Sequence, residues 1–279
     1  MDHLKDMIRR TALRLSAAAT LLFCAGMATA QSAYSSGDSH VEVLSGWTRD
    51  DGARMAAFRI QMPKGWKTYW RAPGDGGIPP VVRWAASGNL ARLETRWPTP
   101  QVFDQNGLKS IGYVDSVVVP IVLTPRRTGA PIRLRGSLEI GICKDVCMPA
   151  SLQFQAKLDS DDNAQDAQIS AALADRPMTA AAAGLRDISC TLSKSNDGLR
   201  LSAEIVMPAA GAPEFSVVEA GDPQIWVAEA TTRRRGSRLH IDTELMHVEG
   251  ESFALNRSAV RITVLGSHHA VDIRGCPAG

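Results

Sequence analysis

Two cysteines close together in the sequence, Cys143 and Cys147, are the residues best suited to chemistry in this chain of 279 residues. An extended backbone would hold their Cα atoms about 13 Å apart, whereas a disulfide needs roughly 4.4–6.8 Å. The segment must therefore turn back if the sulfurs bond. A disulfide that closes so small a loop restricts the unfolded chain little, and exposed or strained bonds are readily reduced. The pair is a candidate for thiol–disulfide exchange, which needs no bound cofactor.

The same cysteines allow two other interpretations. One is a structural disulfide across a turn that takes no part in redox chemistry. In the other, two thiolates together with the neighbouring Met148 supply soft sulfur ligands for Cu(I), and the chain would serve in copper binding or copper tolerance through Cys143, Cys147 and Met148. Zinc would need two more ligands, and no histidine has ligand spacing to the pair. No nucleophile–base pattern, phosphate loop or paired carboxylate stands out, so a hydrolase is not expected.

The first thirty residues predict export. Basic residues precede an apolar run, Leu15–Gly26, and Ala28–Ala30 has the small-x-small pattern at which signal peptides are cut. The chain after residue 30 carries equal numbers of basic and acidic residues, which argues against nucleic acid as a partner. No later stretch is long and apolar enough to span a bilayer. We therefore expect a periplasmic protein without stable membrane insertion.

The pattern of the remaining chain predicts an all-β fold. Short alternating or apolar runs, separated by Pro, Gly, Asn and Asp, are typical of an antiparallel sandwich. Residues 1–30 are expected to be the signal peptide, 31–159 an antiparallel sandwich domain that carries the close cysteine pair, 160–185 a linker with one short helix, and 186–279 a second, smaller sandwich-like β domain. The main predicted strands are 41–44, 53–62, 116–124, 132–140, 152–158, 199–207, 215–219, 224–228, 238–242, 260–265 and 270–273.

Two further cysteines, Cys190 and Cys276, lie at opposite ends of the second predicted domain. A bond between them would close a loop of about 87 residues and stabilise the fold by roughly 4–5 kcal/mol in the chain-entropy model. A structural disulfide is therefore expected here, with a second redox relay as the alternative. Between them, the basic run Arg233–Arg235 is expected to form a solvated hairpin loop.

The densest aromatic cluster of the chain comprises Trp66, Tyr69 and Trp70, followed by a turn rich in Gly and Pro. One interpretation is ordinary core packing. The other is that some of these rings line a groove for the cysteine loop of a partner protein, because aromatic side chains are enriched at interface centres.

Four motifs together resemble the amino-terminal periplasmic domain of the DsbD/ScsB thiol:disulfide interchange family, most closely its ScsB-like branch. They are GWKTYWRAPGDGGIPP at 65–80, WPTP at 97–100, SIGY at 110–113 and GICKDVCMPA at 141–150. The resemblance covers about residues 40–158. It implies an immunoglobulin-like sandwich whose cysteine pair passes electrons between a reductant and thioredoxin-fold proteins of the periplasm.

The resemblance also implies roles for single residues. Cys147 would carry the mixed disulfide with the partner, and Cys143 would resolve it. The cap loop of the family corresponds to residues 102–107, where Phe103 is the aromatic residue, and Tyr69 and Trp70 are further candidates for capping or partner docking. The family's membrane-embedded and thioredoxin-like domains have no counterpart here, so a separate membrane thiol reductant is expected.

Overall fold

A computed structural model of the protein describes residues 35–36, 38–105 and 107–279. β-Strands dominate this part of the chain, and their pairing is antiparallel apart from short parallel contacts near the C-terminus. The predicted all-β class is therefore confirmed. The predicted export signal lies outside the described residues. No helix in the described part is long and apolar enough to cross a membrane.

The first eleven strands form two sheets that enclose one core. The first sheet has the order β1-β2-β3-β9-β6, and the second has the order β11-β10-β4-β8-β7 with β5 also paired to β10. The bounds of these strands are β1 Ser35–Ser36, β2 Ser39–Thr48, β3 Arg54–Gln61, β4 Lys67–Tyr69, β5 Val81–Trp84, β6 Leu90–Thr95, β7 Gln101–Gln105, β8 Leu108–Val114, β9 Ser116–Pro125, β10 Ile132–Cys143 and β11 Cys147–Leu158.

Alternation of apolar and polar residues explains which side of each strand faces this core. In β11, every second residue from Leu152 to Leu158 is buried, while the residues between them are exposed, as expected for a strand with one covered face. The ring of Phe154 lies 4.9 Å from that of Phe58 on the opposite sheet. The two sheets therefore pack face to face as a sandwich.

The hairpin of β10 and β11 is longer than its apolar pattern predicts. The pairing runs without a break from Ile132 opposite Leu158 to Cys143 opposite Cys147. The prediction ended β10 at residue 140 and began β11 at 152, because residues 147–149 are exposed and give no apolar signal. Backbone hydrogen bonding continues past the apolar residues and carries both cysteines to the end of the hairpin.

The segment after β11 packs against the outer face of the first sheet instead of hanging free. It contains α1, Ala167–Ala174, whose first turn is capped by the carboxylate of Asp166. Ile169 of this helix is fully buried in a cluster with Leu44, Met55 and Val122. The expected short helix is present, and it has its own small core.

A second pair of sheets encloses the other large core, with orders β12-β20-β19-β15 and β13-β14-β18-β16, and β17 also paired to β18. The disulfide between Cys190 and Cys276 lies in this core, and Cys276 follows the last strand and lies beside β13. The strand bounds are β12 Met178–Thr179, β13 Asp187–Lys194, β14 Leu199–Val206, β15 Phe215–Glu219, β16 Ile225–Val227, β17 Thr231–Arg235, β18 Arg238–His247, β19 Arg261–Leu265 and β20 Ala270–Arg274.

The basic run at Arg233–Arg235 is part of β17, so its prediction as a solvated loop was wrong. Arg234 forms a two-bond ion pair with Glu214, whose side chain is only 6% exposed, and donates to the carbonyl of Met207. A run of like charges suggested a solvated loop, but strand alternation directs the middle arginine toward a carboxylate.

The two pairs of sheets are in direct contact. Val217 and Leu265 of the second pair belong to the core of the first. Beside them, the guanidinium of Arg71 makes two hydrogen bonds to the carboxylate of Glu219, at 3.0 and 2.8 Å. Lys109 on β8 pairs with Glu229 at 2.6 Å. Apolar packing and two ion pairs therefore hold the sandwiches together.

Candidate redox site

Strand pairing brings the two close cysteines together. Cys143 ends β10 and Cys147 begins β11, so the two residues face each other across the last rung of the hairpin with their Cα atoms 4.1 Å apart. A turn of three residues, 144–146, connects them, and the backbone N–H of Lys144 donates to the carbonyl of Val146. The sulfurs of Cys143 and Cys147 are joined in a disulfide.

The surroundings of the two sulfur-bearing residues differ. Cys143 is 3% exposed, whereas Cys147 is exposed. The order of strands explains this difference: β10 has neighbours on both sides, and Lys67 of β4 lies opposite Cys143, while β11 is at the edge of its sheet. A partner molecule can therefore approach Cys147 from the open edge, but it meets β4 on the way to Cys143.

Tyr69 on β4 is the aromatic residue that contacts the disulfide. Its hydroxyl oxygen lies 2.9 Å from Sγ of Cys147 and 3.0 Å from Sγ of Cys143. Disulfide sulfurs carry no hydrogen, so the phenol must be the donor. The carbonyl oxygen of Gly76, at 3.2 Å, is a third acceptor for the same hydroxyl. One proton is thus shared among three acceptors.

Two glycines make room for the ring of Tyr69. A Cβ atom added to Gly141 would lie 2.7 Å from Cε2 of the ring, and one added to Gly77 would lie 2.9 Å from Cδ1 on its other edge. Both distances are shorter than carbon atoms tolerate. Burial raises the pKa of the Tyr69 phenol above its usual value, so the hydroxyl keeps its proton at neutral pH.

Trp70 has a different environment from its neighbour. It is fully buried in the core of the first sandwich, and the guanidinium of Arg71 lies 3.8 Å from its ring centroid. Successive residues in an extended segment project to opposite sides, so the residue after Tyr69 points away from the sulfurs. Its expected role in capping or docking is therefore corrected to core packing.

Phe103 lies on β7, and its half-buried ring is 4.7 Å from the amine of Lys67. Two strands, β4 and β8, separate β7 from β10 in the sheet. At about 4.8 Å per strand, this separation alone puts at least about 14 Å between the backbones of Phe103 and Cys143. A contact of Phe103 with the site therefore passes through Lys67, and the position against the sulfurs belongs to Tyr69.

Two exposed apolar side chains border the disulfide, and we call them the apolar rim. Val146 in the turn is 71% exposed, and Ile78 is 39% exposed. Ile78 reaches the site because its Cβ lies 3.1 Å from the position that a Cβ on Gly141 would take. The exposed cysteine therefore has apolar surface around it.

The copper interpretation requires three sulfur ligands on one side of the hairpin. Neighbouring residues of a strand project to opposite faces, which places Met148 on the face opposite Cys147. Among residues whose placement the structure gives, no three or more His, Cys, Asp and Glu side chains group closely enough to hold a metal ion. The geometry around Cys143 and Cys147 thus offers two sulfurs to a metal.

Comparison with protein families identifies the segment that carries this site. Residues 40–159 match the family described as thiol:disulfide interchange protein DsbD, N-terminal. The chain contains a DsbD amino-terminal domain. That domain spans the first sandwich and both cysteines of the hairpin, so the resemblance inferred from the four sequence motifs is confirmed.

A solved structure extends the likeness in fold beyond the DsbD amino-terminal domain. The crystal structure of the N-terminal periplasmic domain of ScsB from Proteus mirabilis is similar with a TM-score of 0.66 and 21% sequence identity. The similarity covers 88% of this chain and 95% of that one, so it includes the second pair of sheets. No curated protein gives a significant match.

Sequence reasoning located the cysteines and named Tyr69, but it missed how the phenol is placed. The hydroxyl contact depends on β4 pairing with β10, which are more than sixty residues apart. One signal was present in the sequence. Gly77 and Gly141 each lie in a family motif, and both leave space for the same ring.

Proposed function

We propose that this chain is a periplasmic thiol:disulfide interchange protein that exchanges electrons with thioredoxin-fold partners through Cys143 and Cys147. The observation that carries the proposal is the unequal exposure of the two cysteines in one disulfide. An exchange site needs one sulfur that a partner can attack and a second that is kept nearby. The DsbD amino-terminal family supports the reaction class.

The proposed reaction conserves atoms and electrons. A thiolate of the reduced partner attacks Sγ of Cys147, a mixed disulfide forms, and the bond to Cys143 breaks. The second thiolate of the partner then attacks the partner's first sulfur, which is bonded to Cys147 in the mixed disulfide. This step releases Cys147 as a thiolate. The partner leaves oxidised, and the chain holds two thiols after taking up two electrons and two protons. Run in reverse, the same steps reduce an oxidised client.

The apolar rim supports a protein rather than a small thiol as the natural partner. Val146 and Ile78 present apolar surface around Cys147, and apolar or aromatic centres with polar margins are typical of protein interfaces. A thioredoxin-fold protein offers an accessible cysteine beside an apolar surface. We infer that a separate membrane thiol reductant or another dithiol protein supplies the electrons.

Trapping of a mixed disulfide tests the proposal. Reduced Cys143→Ser and Cys147→Ser variants are mixed with a thioredoxin whose attacking cysteine is activated as a mixed disulfide with a chromophoric aryl thiol. The Cys143→Ser variant should form a covalent complex through Cys147, about ten-fold or more faster than the Cys147→Ser variant, because access limits attack.

The wild-type protein provides the reference for this experiment. It should exchange disulfides with thioredoxin completely and leave no stable complex, since Cys143 resolves the intermediate. Faster trapping through Cys143 would overturn the assignment of the attacking residue. No exchange between the wild-type protein and thioredoxin in either direction would overturn the proposed function itself.

A further inference from the structure

Tyr69 contacts both atoms whose bond would break in the exchange. We propose that its hydroxyl is a catalytic hydrogen-bond donor, which stabilises the thiolate left on Cys143 when a partner opens the disulfide at Cys147. The inference rests on the proposed function and assigns a chemical task to a residue outside the cysteine pair. Its basis is the pair of distances from the hydroxyl oxygen, 3.0 Å to Sγ of Cys143 and 2.9 Å to Sγ of Cys147.

The step that requires stabilisation is the departure of Cys143 as the leaving group. As the partner's sulfur bonds to Cys147, the electron pair of the old bond moves to Sγ of Cys143, which becomes a thiolate. Cys143 is only 3% exposed, and burial disfavours a charged group unless a donor is at hand. A stabilised leaving thiolate accelerates exchange. The donor must therefore come from the protein.

The hydrogen bond from Tyr69 strengthens during the reaction. A neutral sulfur accepts hydrogen bonds weakly, whereas bonds to charged acceptors are about twice as strong as neutral ones. Stabilisation that grows as charge develops lowers the barrier and not merely the energy of the resting state. The carbonyl oxygen of Gly76, at 3.2 Å, accepts from the same hydroxyl in the oxidised state.

The donor is also held in place and kept protonated. Gly77 and Gly141 leave the space that the ring occupies between them, so the ring is confined on two edges. The phenol is buried, and this raises its pKa. The ring therefore cannot swing away freely, and the hydroxyl donates its proton throughout the neutral pH range.

Charged side chains near the cysteines do not replace this donor. The charged residues on the surrounding strand, loop and turn are Lys67, Asp75, Lys144 and Asp145. The amine of Lys67 lies 4.7 Å from the centroid of the Phe103 ring, and the two turn residues are exposed and opposite in charge. Within the described chain, Tyr69 is the donor whose hydroxyl lies within hydrogen-bond distance of both sulfurs.

The test removes one oxygen atom. A Tyr69→Phe substitution is made in the otherwise wild-type protein and in a Cys147→Ser background. The first protein gives the rate at which dithiothreitol reduces the Cys143–Cys147 disulfide at neutral pH, and the second gives the pKa of the Cys143 thiol from the ultraviolet absorbance of its thiolate. We expect reduction about ten-fold slower and a pKa about one unit higher.

Tyr113→Phe is the matched control, because the hydroxyl of Tyr113 is also buried but donates to the carbonyl of Pro98. Its rate and thiol pKa should equal those of the wild-type protein. Equal effects of the two tyrosine substitutions, or no effect of Tyr69→Phe on rate and pKa, would overturn the inference. In that case, continued exchange between the wild-type protein and thioredoxin would leave the proposed function standing.

A glycine substitution tests the placement of the ring without changing the phenol. Gly141→Ala puts a Cβ 2.7 Å from Cε2 of the Tyr69 ring, its nearest neighbour, whereas Gly88→Ala puts one in ordinary contact, 3.7 Å from Arg133 Cβ. We expect Gly141→Ala to slow reduction several-fold and Gly88→Ala to leave the rate unchanged. A wild-type rate in a folded Gly141→Ala protein would contradict the need for a fixed ring.

Discussion

Cys190 and Cys276 are each 1% exposed and belong to the core between the second pair of sheets. Cys147, by contrast, is exposed at a sheet edge. Thiolate attack requires access to a sulfur atom. The long loop that the Cys190–Cys276 disulfide closes also favours its re-formation. The two disulfides of one molecule should therefore react very differently.

Stepwise reduction measures this difference. When the oxidised protein is titrated with a mild thiol and alkylated, we expect Cys143 and Cys147 to be labelled first, at least about ten-fold more readily than the buried pair. Mass spectrometry of the labelled peptides counts each cysteine. Earlier labelling of Cys190 and Cys276 would contradict a structural role for that disulfide.

The sequence alone predicts part of the redox site. Spacing separates the cysteines into a close pair and a distant pair. The phenol contact of Tyr69 could not be predicted, because spacing says nothing about which distant strand lies beside β10. Trp70 shows the same limit: it follows Tyr69 directly, yet alternation along the chain places it in the core.

Helix α1 shows how a segment expected to be a linker stabilises the sandwich. Ile169 is fully buried against the outer face of the first sheet, and the buried side chain of Arg54 binds the carbonyl of Asp162 just before the helix. The run of aspartates and alanines predicts a short helix there. Its docking could not be predicted, because the cluster that receives Ile169 comes from three strands distant in sequence.

Truncation of Ile169 tests this docking. Ile169→Ala leaves a cavity in a small cluster and should lower the free energy of unfolding by about 2–4 kcal/mol. Ser170→Ala, one position along on the exposed side of α1, should change it by less than about 0.5 kcal/mol. Urea denaturation followed by circular dichroism gives both values. Equal stability of the two variants would mean that the helix does not stabilise the sheet.

The ion pair between Arg71 and Glu219 connects the two sandwiches of the molecule. The two side chains are 15% and 23% exposed, and Arg71 also donates to the hydroxyl of Thr263. Burial lowers the pKa of Arg71, and the carboxylate of Glu219 opposes that shift. Arg71 follows Tyr69 by two residues, so the second sandwich steadies the segment that carries the phenol.

Neutralising the carboxylate tests the connection. Glu219→Gln leaves the partly buried guanidinium without its counter-charge and should destabilise the protein by about 1–3 kcal/mol. Glu244→Gln removes the charge partner of Arg200 in an exposed ion pair, whose Arg200 and Glu244 side chains are 56% and 45% exposed. This change should lower the free energy of unfolding by less than about 1 kcal/mol. Urea unfolding compares them. An equal loss in both variants would show that the ion pair between Arg71 and Glu219 adds no more stability than an exposed one.

The unbroken ladder between β10 and β11 also governs how the protein behaves once it is reduced. Backbone pairing fixes residues 143 and 147 opposite each other independently of the sulfur–sulfur bond. When that bond opens, the two thiols remain neighbours, and each meets the other at an effective molarity far above that of any molecule in solution. In a mixed disulfide with another protein, attack of Cys143 on the sulfur of Cys147 is then nearly unimolecular. Such a covalent intermediate should therefore be short-lived, and the pairing of the hairpin sets its lifetime.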